Sequence, residues 1–152
     1  MMFKKISHGN LEIMLMEMKG LNLVSGAGTK ELETACVGPI YFDKSFVGEV
    51  RLFYYSGKTA FLQNIEILRQ YWNKGYTTAI CEALIEEARK NNCTSFVLEQ
   101  LQTPGISNEE RHKNNEKKIK RICEKLIKKE AVKNYSFKIS PETGCYDVAM
   151  EI

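Results

Sequence analysis

The chain is poor in the residues from which metal centres and nucleophilic triads are most often built. Its 152 residues include two histidines, His8 and His112, far apart in sequence. That count disfavours a zinc enzyme or a histidine-based triad. The five cysteines, at 36, 81, 93, 123 and 145, are odd in number and contain no CxxC pair. Free thiols in a reducing, cytoplasmic setting are therefore expected rather than a disulfide framework, and no metal is expected. Three prolines and the absence of low-complexity tracts or repeats argue against disorder. No apolar run is long enough to span a membrane. The richest early one, LEIMLMEM, is interrupted by Glu12 and Glu17, which also spoil a signal-peptide reading of the MMFKK start.

What remains is the composition of one globular domain, 1–152, with 43% hydrophobic and 27% charged residues. Strand-like patterning covers 11–18, 35–42, 46–55 and 59–68, and the turns FDKS and YSGKT join the last three as antiparallel hairpins. Pro39 implies a bulge or an edge within its strand. The period then changes. Ile80, Ala83, Leu84 and Ala88 form one helical stripe over 76–91, beside Cys81, with Glu82, Glu86, Glu87 and Lys90 on the opposite side. A strand at 94–101 follows, then a loop, QTPGISNEE. A second helix over about 108–130 carries the stripe Ile119, Ile122, Cys123, Leu126, Ile127. Strands at 134–140 and 145–152 close the chain across SPETG. This order predicts a mixed α/β (α+β) domain with helices packed on a sheet.

The junction YWNKGYTTA, 71–79, carries the chemistry. A strand runs through a short loop into a helix, whose first-turn N–H groups and dipole favour an anion. Gly75 lets a phosphate approach the backbone without a Cβ in the way. Lys74 adds charge, and Thr77 and Thr78 add hydroxyls. Residues 73–78 are therefore a candidate pyrophosphate cradle, although a plain strand-to-helix turn has the same elements. SGAGTK, at 25–30, lacks Walker spacing and reads as a loop.

The same stretch resembles the acyl-CoA-binding motif of the GNAT acetyltransferase superfamily, Q/R-x-x-G-x-G/A. It is most similar to the ribosomal-protein N-acetyltransferase branch, where YWGKGYATEA is common. Tyr71, Trp72, Lys74, Gly75, Tyr76 and Thr78 match, while Asn73 and Thr77 replace small residues. RICEKLIK, 121–128, resembles the branch's RVLEKLGF. FVGEV at 46–50 resembles its IGEI-like strand, and YDVAMEI its last strand. The resemblance runs over about 35–152. It implies a GNAT-like fold with a largely antiparallel mixed sheet and a reduced N-terminal helical region, because only about 19–33 is available for helices after the first strand.

It further implies acetyl-CoA as co-substrate. The pantetheine arm would pair with backbone at Ile65, Glu66 and Ile67, and residues Trp72, Asn73, Lys74, Gly75, Tyr76, Thr77 and Thr78 would surround the pyrophosphate. An amine must be neutral to attack. At pH 7 that costs a lysine about 4.6 kcal/mol and an α-amine about 1 kcal/mol. Glu66 is the first candidate base, with Asn64 on its strand face, and Glu99 the second; each is also readable as a solvated carboxylate. The position where other branches place an acidic tyrosine is Cys123, equally readable as core. Tyr71, Tyr76 and Tyr146 are alternative hydroxyls.

Net charge is +3, yet 111–129 holds nine Lys/Arg and two acids, leaving the rest of the chain at −4. Three readings stay open for this helix: a solvated face, attraction of CoA phosphates or an acidic partner, and nucleic-acid binding. The last is disfavoured by the absence of stacking aromatics. The acceptor amine is not readable, a homodimer is open, and a GNAT-fold domain that binds acyl-CoA or a partner without turnover is the rival function.

Overall fold

The computed structural model describes residues 2–19, 32–56, 58–99, 108–139 and 146–152. Ten main elements follow in order. They are β1 (Met2–His8), β2 (Leu11–Lys19), β3 (Leu32–Phe42), β4 (Ser45–Tyr55), β5 (Thr59–Ile67), α1 (Tyr76–Lys90), β6 (Ser95–Glu99), α2 (Asn108–Lys128), β7 (Asn134–Ile139) and β8 (Tyr146–Glu151). A short 3-10 turn, Arg69–Tyr71, precedes α1.

All eight strands share one sheet in the order β1-β2-β3-β4-β5-β6-β8-β7. Every neighbouring pair is antiparallel except β5 and β6. A parallel pair needs a crossover, and α1 supplies it. Both helices lay their apolar stripes into one core with the sheet, in which Ile80, Leu84, Phe96, Cys123, Leu126 and Met150 have almost no exposure. This is the mixed, largely antiparallel sheet with packed helices expected from the sequence. Among the described residues no helix is long and apolar enough to cross a membrane.

Three local differences have clear causes. The N-terminal stretch is a strand that the sequence pattern does not announce. Only Ile6 of β1 is buried, so there is no period-2 signal, and pairing to β2 places it. Glu87, expected to face away, is 6% exposed and ion-paired with Lys4 of β1. Its carboxylate holds the Lys4 ammonium above its ordinary pKa through a hydrogen bond. Pro39 sits inside the sheet rather than on an edge. The β2–β3 ladder skips Met14 and Leu15 opposite Gly38 and Pro39, between the pairs Ile13–Ile40 and Met16–Val37, which removes the need for a proline N–H. The stretches SGAGTK, QTPGIS and SPETG lie outside the described residues.

Candidate acyl-CoA cleft

The sheet opens beside β5. Pairing between β5 and β6 runs from Thr59–Ser95 to Leu62–Leu98 and stops, while β5 continues to Ile67. Among the described residues, no strand pairs with that edge of β5 beyond Leu62. A bulge marks the same point. Arg51 faces Asn64 and Leu52 faces Leu62, so Gln63 is the extra residue. The cleft formed here has a volume of about 1000 Å³ and extends from Leu62 and Leu98 past Asn64, Ile65, Glu66 and Ile67 to the start of α1, with α2 as its other wall.

The loop into α1 is held in a defined shape. Asn73 and Gly75 are left-handed, with φ of 60° and 77°, a region that asparagine tolerates and glycine enters freely. Gly75 is the N-cap of α1 and gives no side-chain cap, and no acid sits in the first turn. The first N–H groups of the helix are thus left for something else. A Cβ built on Gly75 meets nothing within 4 Å, so the space before it is open. Trp72 fastens the loop to the strand, its indole N–H donating to the Ile67 carbonyl at 2.7 Å. The Arg69 guanidinium lies 5.9 Å from the centre of the same ring. Tyr76 stacks on Phe42 with ring centroids 3.9 Å apart. Gly75→Val would force a branched residue into left-handed backbone and fill the open space. We expect a loss of about 1–2 kcal/mol of stability and roughly tenfold or more weaker acetyl-CoA binding by calorimetry, with Gly75→Ala intermediate.

Nine of the ten residues marked out around the cofactor line this one cleft, namely Ile65, Glu66, Ile67, Trp72, Asn73, Gly75, Tyr76, Thr77 and Thr78. Lys74 is exposed on the loop outside the cleft wall. Glu66 is exposed at the far end of β5 and directly opposite Glu49 of β4, which also lines the cleft. Asn64 Oδ1 is buried with no hydrogen-bond partner among the described residues. The side chains of Glu99 and Tyr146 lie outside the described residues.

Cys123 is placed differently from a cleft residue. It is fully buried, and its neighbours Ile119 and Ile122 form the cleft wall instead. Burial, with the nearby Glu124 carboxylate, pushes its thiol up to about 12. Burial does the same at Cys36 and Cys81, each raised to about 12, and raises Cys93. In the native protein at pH 8 these four thiols should resist an aromatic disulfide reagent and react only on unfolding. Cys145 lies outside the described residues. Rapid native titration of two or more thiols would contradict this packing.

The sequence reading did not single out Glu49, nor Lys118, Arg121 and Lys125 of α2, which also face the cleft. Counted back from the β4–β5 turn without the bulge, Glu49 would meet Ile65. The extra Gln63 brings it opposite Glu66. The three cations could have been found from spacing, since 118, 121 and 125 run beside the apolar stripe 119, 122, 126.

The family model described as "Acetyltransferase (GNAT) family" matches residues 21–107. A comparison with curated proteins gives no match. Among solved structures, a Bacillus subtilis acetyltransferase in complex with CoA is 10% identical, with 78% of this chain and 77% of that chain covered and a TM-score of 0.52. A GNAT-family acetyltransferase of Desulfovibrio desulfuricans is 11% identical, with 78% and 67% covered and a TM-score of 0.52. The Escherichia coli ribosomal-protein-S18-alanine N-acetyltransferase is 14% identical, with a TM-score of 0.48; 76% of this chain is covered and 66% of that one. Sheet, open strand edge and loop thus coincide with a family match over more than half of the sequence: the chain belongs to the GNAT acetyltransferase family.

Proposed function

We propose that the protein transfers an acetyl group from acetyl-CoA to a primary amine by direct attack. One observation carries the reading. The edge of β5 at Asn64–Ile67, unpaired among the described residues, and the glycine-led start of α1, without a side-chain cap, open into the same cleft. An extended arm ending in a pyrophosphate fits that pair of features. The arm would add to β5 through its amides, with Asn64 Oδ1 as a further acceptor, and the pyrophosphate would take the N–H groups of 73–78.

In this reading Glu66 is the base. Its carboxylate removes the ammonium proton, directly or through one water. The neutral nitrogen then attacks the thioester carbonyl and the C–N bond forms; the tetrahedral adduct gives up the second nitrogen proton to solvent as the C–S bond breaks, and CoA leaves as a thiolate that takes up one proton. Tyr71 and Tyr76 are the described cleft phenols available to supply it; Cys123 is not, because it sits in the core. The acceptor class is a protein N-terminus, a lysine or a small amine. An acetyl-CoA assay following thiol release across peptides, lysine and polyamines tests the proposal. Amine-dependent release that saturates supports it. Acetyl-CoA binding without release on any amine would leave a binding module in place of an enzyme.

A further inference from the structure

The basic helix has three differently occupied sides. One is the apolar stripe Ile119, Ile122, Leu126 in the core. A second faces β7, where Lys120 Nζ lies 5.7 Å from the Phe137 ring centre and Tyr135 donates its hydroxyl to Glu124 at 2.7 Å. The third carries Lys118, Arg121 and Lys125 into the cleft. These three are exposed, and no carboxylate pairs with them among the described residues. Glu124, the one acid among the described side chains of the helix, is engaged with Tyr135. Like charges at i, i+3 and i+4 on one helix face repel. A solvated surface would intersperse acids, whereas this side holds cations alone and turns them toward a concave wall.

We infer that Lys118, Arg121 and Lys125 form a second anion subsite for the donor, one that takes the ribose 3′-phosphate of CoA. The inference rests on the acetyl-CoA reading above and deepens it. The loop 73–78 already offers the main-chain N–H groups that a pyrophosphate needs. The α2 stripe spans seven residues, roughly 10 Å along the axis, longer than a pyrophosphate, so its cations present charge to more than one phosphate group. A second, separate dianion fits the spread. CoA carries one, as a phosphate monoester. The opposite wall, with Glu49 and Glu66, repels anions and suits the acceptor ammonium, so charge divides the cleft between donor phosphates and amine.

The test is calorimetric binding of acetyl-CoA and 3′-dephospho-acetyl-CoA to the full chain, with Lys118→Gln, Arg121→Gln, Lys125→Gln, their triple combination, and Lys117→Gln as a control outside the cleft wall. The wild-type protein should prefer acetyl-CoA by roughly tenfold or more, the scale of charge-assisted hydrogen bonds. The triple variant should lose that preference to within about a factor of two, with dephospho-acetyl-CoA affinity and Tm unchanged; Lys117→Gln should keep it. Equal wild-type affinity for both ligands would overturn the subsite while leaving the acetyl-CoA reading intact. So would a triple variant that weakens both ligands equally, or a Lys117→Gln effect as large as the others. Binding of neither ligand would overturn both.

Discussion

Glu66→Gln should lower kcat at pH 7 by about a hundredfold or more, the scale of a positioned general base, while acetyl-CoA affinity stays within a factor of about two. A lysine acceptor is neutral in about one molecule in 2,500 at pH 7, so its proton must be removed at the site. Glu66 is the carboxylate on the motif strand that faces the cleft, and its position is fixed by the ladder to Glu49. Glutamine keeps the shape and the backbone, so donor binding is spared. The deficit should shrink as pH rises toward the acceptor's own pKa, because solvent then does the deprotonation. Glu49→Gln should have a smaller effect, mostly on the acceptor KM. Full kcat in Glu66→Gln would place the base elsewhere, with Glu99 next to be tested.

Gly48→Ala should damage stability and the site together. A Cβ at position 48 would lie 1.9 Å from the Glu66 carbonyl oxygen, so the β4–β5 ladder must shift where it positions the base. Backbone cannot yield as a flexible side chain does. We expect about 3 kcal/mol of destabilisation, or a fall of roughly 6–12 °C in Tm for a domain of this size, with kcat reduced even where the variant is folded. Gly38→Ala is the matched comparison. Its Cβ would lie 1.7 Å from the Met14 carbonyl oxygen, in the β2–β3 ladder and outside the cleft lining. It should lose similar stability but retain kcat when assayed cold. Equal kcat in the two folded variants would remove the special role of the β4–β5 geometry.

Periodicity made the central elements readable. The change from alternation in FVGEVRLFYY to a helical stripe in 76–91 marks β4, β5 and α1 within a residue or two, because each buries one regular face. The strand-to-helix junction was readable as well, since its composition reflects backbone demands: left-handed Asn73 and Gly75, then a helix without an acid in its first turn. Other features depend on long-range pairing and leave little local trace. The strand status of β1 comes from β2. The burial of Glu87 comes from Lys4, across the fold. The facing of Glu49 and Glu66 depends on one bulged residue, Gln63, whose composition does not announce it. The basic run 111–129 was visible as charge, but which of its cations turn into the cleft depended on how α2 packs.

The most direct test of the account is a thermal-shift titration of the full chain with acetyl-CoA, with ATP as a control for nonspecific phosphate binding. At about a hundred times its dissociation constant, a ligand of the native state adds roughly 2.7 kcal/mol. That is a rise of about 5–11 °C at this chain length. A saturable rise of that order is expected with acetyl-CoA, little with ATP, and a much reduced rise in Gly75→Val. No shift at millimolar acetyl-CoA would contradict it and leave the cleft without the ligand that its strand edge and helix start are argued to hold.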